Sequence, residues 1–327
     1  MKLLVTGGLG FIGSNFILNI LKNNKKIIIT NVDAELLGSN HNNLIELKNS
    51  SNYNFVKGNI TNKSLMEKLI ENSDVVINFA AETFVDRSIL DANQFLVSNI
   101  RGVYTILEIL RKQKKRLVQI STDEVYGSLE NSSATEDFRY NPSNPYAATK
   151  ASAELLVNSY VKTYDLDCVI TRCTNNYGPR QFYEKLIPKT IFLANRDKKI
   201  PIYGVGKNIR DWIFVDDHCK AIHNVLLNGK SGESYNISSN NELDNITIVK
   251  KILEIMNKSS NLIEFVDDRP GHDLRYSLDS SKIRKSLKWT EKTTFQEGLE
   301  KTIEWYLNES DDQCITKESL NPTPWKK

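Results

Sequence analysis

The chain has 327 residues, 40% of them hydrophobic and 25% charged, which is enough for one large or two smaller domains with a sizeable core. Its 43 Lys and Arg residues nearly balance its 40 Asp and Glu residues, which excludes a protein held to nucleic acid by a general positive charge. No apolar run reaches the ~20 residues of a membrane-spanning helix, and residues 1–6 show no signal-peptide pattern. We therefore expect a cytoplasmic protein without a nucleic-acid or membrane partner.

The first half of the chain alternates short apolar runs with stretches of helical period. Continuous apolar strands are buried on both faces, which requires helices on both sides of a parallel sheet. The sequence therefore predicts a doubly wound α/β fold. The predicted strands are residues 3–6, 27–32, 55–56, 75–79, 117–121 and 168–172.

Beyond the last of these strands the sequence becomes rich in turns, with predicted helices at 246–256 and 295–307. This change predicts a smaller C-terminal α/β lobe. The predicted units are a first domain at 1–173 that also receives part of 208–237, a second at 174–309, and a flexible tail at 310–327.

The cysteines show neither a CxxC pair nor a zinc-ligand spacing to histidine. We expect reduced thiols and no metal site. These residues are Cys168, Cys173, Cys219 and Cys314.

A glycine-rich turn joins the first strand to a predicted helix at 14–23, with glycines at Gly7, Gly10 and Gly13. Glycine lets the backbone approach a diphosphate closely, and the helix N-terminus attracts its charge. Asp33 ends the second strand, where a carboxylate accepts hydrogen bonds from an adenosine ribose and repels a 2′-phosphate. The pattern predicts a dinucleotide site that prefers NAD to NADP.

The fifth strand runs into Thr122, Asp123 and Glu124, at the sheet edge where open α/β folds bind ligands. Farther along, Tyr146 and Lys150 share one face of a predicted helix. An ammonium beside a phenol lowers the phenol pKa, so this pair can serve as a general base. The sequence thus predicts a catalytic centre of these residues.

Together these features resemble the extended short-chain dehydrogenase/reductase superfamily, with its Rossmann domain, over nearly the whole chain. The adjacent carboxylates Asp123 and Glu124 narrow the resemblance to nucleotide-sugar 4,6-dehydratases, above all those of dTDP-glucose and UDP-glucose. The segments that support it are 80–88, 175–179, 184–188, 209–212 and 269–273.

The resemblance implies dehydration to a 4-keto-6-deoxy sugar, a step toward deoxysugars such as rhamnose. Tyr146 takes the C4 hydroxyl proton while the C4 hydride passes to NAD, and Thr122 binds the C4 oxygen. Glu124 then removes the C5 proton, Asp123 protonates the departing C6 hydroxyl, and the hydride returns to C6. The sequence leaves the choice between dTDP-glucose and UDP-glucose open.

The resemblance also implies two sets of binding residues. The predicted NAD contacts are Gly7, Gly10, Phe11, Ile12, Gly13, Asp33, Asn59, Ile60, Ala80, Ala81, Ser98, Tyr146, Lys150 and Asn176. The predicted substrate contacts are Thr83, Thr122, Asn175, Lys185, Leu186, Pro201, Tyr203, Arg210, Asn245, Arg269, His272 and Tyr276.

Three features depart from the family pattern. Residues 34–40 replace its usual Lys-Leu-Thr-Tyr-Ala-Gly-Asn run, Asn59 replaces an Asp, and Phe84 stands where relatives commonly have His. Two alternative functions remain: a nucleotide-sugar 4-epimerase, which needs no acid and base at 123–124, and a non-catalytic NAD-binding protein.

The resemblance further predicts a homodimer. Predicted helices at 86–112 and 144–164 match the pair that family members pack against a second subunit, and Ala151, Leu155 and Leu156 give the second helix an apolar stripe. Such stripes are buried when two helices from each of two subunits form a bundle. The alternative is that they pack on their own sheet.

Overall fold

The computed structural model describes residues 1–308 and 320–326. Its strands are β1 (Lys2–Thr6), β2 (Ile28–Asp33), β3 (Tyr53–Lys57), β4 (Val75–Asn78), β5 (Arg116–Thr122), β6 (Cys168–Cys173), β7 (Asn175–Tyr177), β8 (Ile200–Tyr203), β9 (Ile209–Phe214), β10 (Ser234–Ile237), β11 (Glu242–Asp244) and β12 (Ile263–Val266). Its α-helices are α1 (Phe11–Asn23), α2 (Lys63–Glu71), α3 (Val85–Leu90), α4 (Asn93–Phe95), α5 (Val103–Gln113), α6 (Pro145–Tyr164), α7 (Leu186–Asn195), α8 (Val215–Asn228), α9 (Asn245–Ile255), α10 (Ser281–Leu287) and α11 (Phe295–Asn308).

Seven parallel strands form the main sheet in the order β10-β6-β5-β4-β1-β2-β3. One hydrophobic core lies between this sheet and α1 and α8, and another lies between the opposite face and α2, α5 and α6. Strands buried on both faces explain the continuous apolar runs of the sequence. The predicted doubly wound α/β fold is confirmed.

The predicted single helix at 86–112 is wrong, because the chain breaks after α3. Asp91 adopts an extended conformation, with φ −152° and ψ 112°, and its Oδ1 accepts a hydrogen bond from the Asn93 N–H at 2.8 Å. Asp91 is thus the C-cap of α3, and its side chain binds the first N–H of α4. The helical path then resumes through α4, a π-helical turn at Leu96–Gly102, and α5.

The C-terminal lobe contains the sheet β11-β9-β7 and the strand pair β12-β8, packed with α7, α9 and α11. Strand β10 and helix α8 instead join the main sheet and its core. These two elements therefore follow parts of the lobe in sequence but belong to the main sheet and its core. The domain boundaries stated from the sequence stay predictions.

Residues 309–319 and 327 lie outside the described part of the chain, and with them Cys314 and most of the predicted tail. Leu320 packs against the lobe cluster that contains Ile200 and Ile202. The other cysteines, Cys168, Cys173 and Cys219, are buried free thiols. Among the described helices, none is both long and apolar enough to cross a membrane.

Candidate active site

A cavity of about 300 Å³ lies over the carboxyl ends of the central strands, where the glycine-rich turn enters α1. Gly7 has φ +69°, and an added Cβ there would lie 2.7 Å from the backbone of Ala80. A Cβ at Gly13 would lie 2.5 Å from the Gly7 carbonyl oxygen. Only glycine permits this tight turn, which leaves helix N–H groups facing the cavity. The cavity therefore fits a dinucleotide diphosphate.

Asp33 lines the same cavity and accepts a hydrogen bond from the backbone of the glycine-rich turn. Its Oδ2 accepts a hydrogen bond from the Leu9 N–H at 3.0 Å, and its Oδ1 accepts hydrogen bonds from the Glu35 N–H at 2.9 Å and the Ser39 hydroxyl at 2.8 Å. An ionised carboxylate offers about four acceptor sites, so capacity for a ribose hydroxyl remains. Asp33 thus holds the divergent loop 34–40 against the cofactor cavity.

Catalytic candidates emerge where β5 ends in a short 3₁₀ turn. Thr122 caps this turn by accepting a hydrogen bond from the Glu124 N–H at 3.3 Å, and its hydroxyl donates to Asp123 Oδ1 at 3.1 Å. Asn144 caps α6 and also donates to Glu124 Oε2 at 3.2 Å. These contacts connect the strand end to the helix that carries Tyr146.

Asp123 is only 4% exposed, and its Oδ2 has no hydrogen-bond partner among the described residues. Burial, reinforced by the charge of Glu124 and opposed by that of Arg210, raises the pKa of Asp123 to about 8. A carboxyl with this pKa keeps its proton at neutral pH. The pair therefore places a proton donor beside a second carboxyl group, as an acid–base elimination requires.

Tyr146 and Lys150 lie on α6 and line the cavity, but their contacts differ from the prediction. The Lys150 ammonium donates to the Ile120 carbonyl at 2.7 Å, and burial lowers the pKa of Lys150 to about 8. Burial, together with the charge of Glu124, holds the pKa of Tyr146 well above its ordinary value. Desolvation of the phenol thus dominates in this structure, and the role predicted for Lys150 in lowering the pKa of Tyr146 stays a prediction.

Asp86 accepts hydrogen bonds from two predicted substrate residues of the C-terminal lobe. Its Oδ1 accepts a hydrogen bond from Arg269 Nη1 at 2.9 Å, and its Oδ2 accepts one from the Tyr203 hydroxyl at 3.0 Å. The Nε–H of Arg269 is buried without a hydrogen-bond partner among the described residues. An unused donor on a buried guanidinium is suited to an anionic ligand.

Arg210 is electrostatically coupled to the candidate carboxyls Asp123 and Glu124, and its guanidinium lies 4.2 Å from the ring centre of Tyr276. Backbone carbonyls of Ile209 and Asp273 accept hydrogen bonds from it at 2.7 and 2.9 Å. The Tyr276 hydroxyl lies 3.3 Å from Glu124 Oε2. This stack therefore connects the lobe to the catalytic centre.

The cavity brings together every predicted NAD and catalytic residue, and with them Thr83, Asn175 and Lys185. Phe84 is buried against Phe182, and the Lys185 ammonium lies 4.8 Å from its ring centre, so an aromatic ring forms this wall. The predicted substrate residues that do not line the cavity are Leu186, Pro201, Tyr203, Arg210, Asn245, Arg269, His272 and Tyr276.

Comparison with known proteins identifies the chain's relatives. The sequence profile of the family GDP-mannose 4,6 dehydratase matches residues 4–302. A dTDP-glucose 4,6-dehydratase of Mycobacterium tuberculosis is 43% identical over 315 residues, which cover 95% of this chain and 95% of that protein. The chain belongs to the nucleotide-sugar 4,6-dehydratase family. The resemblance stated from the sequence is confirmed.

Two further proteins similar to this chain extend the comparison. The low-salt glycan biosynthesis protein Agl12 of Haloferax volcanii is 46% identical over 312 residues, or 95% of this chain and 100% of that protein. A crystal structure of DesIV, a dTDP-glucose 4,6-dehydratase from Streptomyces venezuelae with NAD and TYD bound, gives a TM-score of 0.94 at 38% identity. That comparison covers 96% of this chain and 100% of DesIV, and it supports the predicted NAD cofactor.

Three residues of this dehydratase site were missed by the sequence analysis. Asn144 and Asp86 act through contacts described above, and the third is His218 on α8. The ring of His218 is fully buried, its Nδ1 lies 2.8 Å from Asn176 Oδ1, and burial lowers its pKa to about 3. A neutral His218 therefore orients an amide that lines the cofactor cavity. The sequence around His218, Val-Asp-Asp-His-Cys-Lys, gives no local signal for such a contact.

Proposed function

We propose that this chain dehydrates dTDP-glucose to the 4-keto-6-deoxy sugar, with NAD as its cofactor. The observation that carries the proposal is the pair of Asp123 and Glu124 at the cavity floor. Asp123 is a buried proton donor whose pKa of about 8 keeps it protonated at neutral pH. The names of its relatives support dTDP-glucose over UDP-glucose.

The glycine-rich turn, Asp33 and the cavity walls from Asn59 to Asn176 would hold the dinucleotide. NAD, when bound, supplies an acceptor that takes a hydride and later returns it. Tyr146 receives the proton of the sugar C4 hydroxyl at its phenolic oxygen, which requires that the Lys150 ammonium and the positive charge of bound NAD offset the desolvation that raises the pKa of Tyr146. Lys150 anchors α6 through the Ile120 carbonyl, and Thr122 hydrogen-bonds the C4 oxygen.

Elimination follows at the next two carbons. A C4 ketone makes the C5 hydrogen acidic, and the Glu124 carboxylate removes it while Asn144 and Tyr276 hold Glu124 in place. Asp123 gives its proton to the C6 hydroxyl, which leaves as water. Both carboxyls are needed in different protonation states, and burial of Asp123 supplies that difference.

The diphosphate of the substrate is held by Arg210 and Arg269 in this proposal. Burial alone would lower the pKa of Arg269, but Asp86 and Glu124 raise it, so this guanidinium stays charged. A diphosphate replaces part of the contact between Arg269 and Asp86 and uses the free Nε–H. Lys185 and Tyr203 then lie toward the nucleoside.

A 4-epimerase is the alternative enzyme, and a non-catalytic NAD-binding protein is the alternative outside enzymes. Neither needs a protonated Asp123 beside Glu124, whereas a dehydratase needs both. The experiment is a side-by-side measurement of product and kcat/KM with dTDP-glucose and UDP-glucose. We expect a product lighter by one water and a higher kcat/KM for dTDP-glucose; an isomeric product or no product contradicts the proposal.

We further propose a cytoplasmic homodimer. Large apolar side chains on the helices of one face are solvent-exposed in the single chain: Leu96 is 49%, Tyr104 48% and Leu155 55% exposed. A two-fold interface between such faces buries them in a bundle of helices. The free, buried thiols support a reducing compartment.

A further inference from the structure

The segment 320–326 packs on the lobe beside β8. Leu320 packs against the cluster of Ile200 and Ile202, and Lys326 forms an ion pair with Asp267 at 2.5 Å. Between these two anchors, Trp325 is only 8% exposed. An indole so deeply buried near the end of a chain contributes a large apolar contact area.

Trp325 forms an aromatic pair with Tyr203. The two ring centres lie 4.6 Å apart at an interplanar angle of 87°, an edge-to-face geometry. Tyr203 also lies 6.2 Å from the His272 ring, and its hydroxyl donates to Asp86 at 3.0 Å. Asp86 holds Arg269 through its second oxygen. The ring of Tyr203 is therefore fixed at its tip by Asp86 and at its side by Trp325.

We propose that Trp325 is a positioning residue for the pyrimidine nucleoside of the substrate and acts through Tyr203. The inference rests on the proposed function, in which Tyr203 lies toward the nucleoside and Arg269 binds the diphosphate. Without the indole, the Tyr203 ring loses its nearest aromatic partner and keeps the hydrogen bond to Asp86 and the more distant contact with the His272 ring. The Tyr203 ring can then rotate about its hydrogen bond to Asp86, so its orientation toward the pyrimidine ring of the substrate is less well defined.

The contacts of the segment 320–326 distinguish a positioning role for Trp325 from a role in lobe stability alone. Leu320 contacts the lobe core and Lys326 contacts an exposed carboxylate, whereas Trp325 contacts a predicted substrate residue. A change at Trp325 should therefore alter nucleotide binding more than folding. It should leave the NAD cavity unchanged, because Trp325 does not line that cavity.

The test compares Trp325→Ala, Trp325→Phe and the control Lys326→Ala, which removes an ion pair between two exposed groups. We expect Trp325→Ala to raise KM for dTDP-glucose and Kd for dTDP by about 3- to 10-fold, the range expected when one aromatic pair is lost. The kcat and the NAD affinity stay within about two-fold. Trp325→Phe restores most of the nucleotide affinity, and Lys326→Ala resembles the wild type.

A double-mutant comparison tests whether Trp325 acts through Tyr203. In Tyr203→Ala, adding Trp325→Ala should cause no further loss of dTDP affinity, because the ring that the indole positions is gone. The inference is wrong if Trp325→Ala leaves dTDP affinity unchanged, or if the two losses multiply. Calorimetric titration with dTDP needs no turnover, so a wild type that binds dTDP without dehydrating the sugar refutes the proposed function alone.

Discussion

Replacing Asp123 with Asn should remove the activity and stabilise the fold at neutral pH. The ordinary carboxyl pKa of 3.8 rises to about 8 in the folded chain, chiefly through burial. Above pH ~4 the unfolded chain therefore releases this proton while the folded chain keeps it, so folding stability falls as pH rises toward about 8. Asp123→Asn removes that ionisation.

The size of the gain follows from the same shift. Each pKa unit corresponds to about 1.4 kcal/mol, and roughly three units separate the unfolded pKa from pH 7, which gives an upper limit of about 4 kcal/mol. The buried amide of the variant needs hydrogen bonds that Thr122 supplies only in part, so we expect a net gain of about 1–3 kcal/mol. Loss of a general acid should lower kcat by roughly 10²- to 10⁴-fold.

Urea denaturation near pH 4 and near pH 7 measures the effect. The free energy of unfolding of Asp123→Asn should lie below that of the wild type near pH 4, where only the cost of the buried amide remains, and exceed it near pH 7. Glu71→Gln, at an exposed carboxylate in α2, is the control for loss of one acidic group. A variant that gains no stability between the two pH values, or that keeps wild-type turnover, would refute the assignment of Asp123 as a buried proton donor.

Three further predictions address other parts of the account. Glu124→Gln should let the reduced cofactor accumulate without product, as measured by its absorbance, and a wild-type product rate would remove Glu124 from its role. Asp33→Ala should weaken NAD binding in calorimetry by about 1.5–3 kcal/mol, because both the ribose contact and the brace on the Leu9 N–H are lost; an unchanged Kd for NAD would place the ribose elsewhere. Light scattering should give twice the mass of one chain for the wild type and one chain's mass for Leu155→Glu, and a wild-type monomer would contradict the dimer.

Much of the main sheet could be predicted because its signal is local. Six of its seven strands, β1 to β6, are short runs rich in apolar residues that alternate with stretches of helical period. Asp33 follows the glycine-rich turn at the spacing that a dinucleotide site requires. Strand β10, with the sequence Ser-Tyr-Asn-Ile, gave no such signal, since its burial comes from pairing with β6. The break at Asp91 was missed because the surrounding residues favour a helix.

The sequence could predict which candidate catalytic residues line one cavity, but not their electrostatics. Spacing placed Tyr146 and Lys150 on one face of a helix, whereas their pKa directions depend on burial and on the Ile120 carbonyl. The contact between Asp86 and Arg269 joins residues 183 positions apart. Contacts at that separation depend on the packing of the lobe against α3, which no local pattern encodes.

The central claim is that a hydride leaves C4 of the sugar and returns to C6 after water is lost. Incubating the wild-type enzyme with dTDP-glucose deuterated at C4 and recording the NMR spectrum of the product tests it directly. We predict a 4-keto-6-deoxy product that carries the deuterium in its C6 methyl group. Deuterium retained at C4 of an inverted sugar, or a substrate that returns unchanged, would contradict the claim.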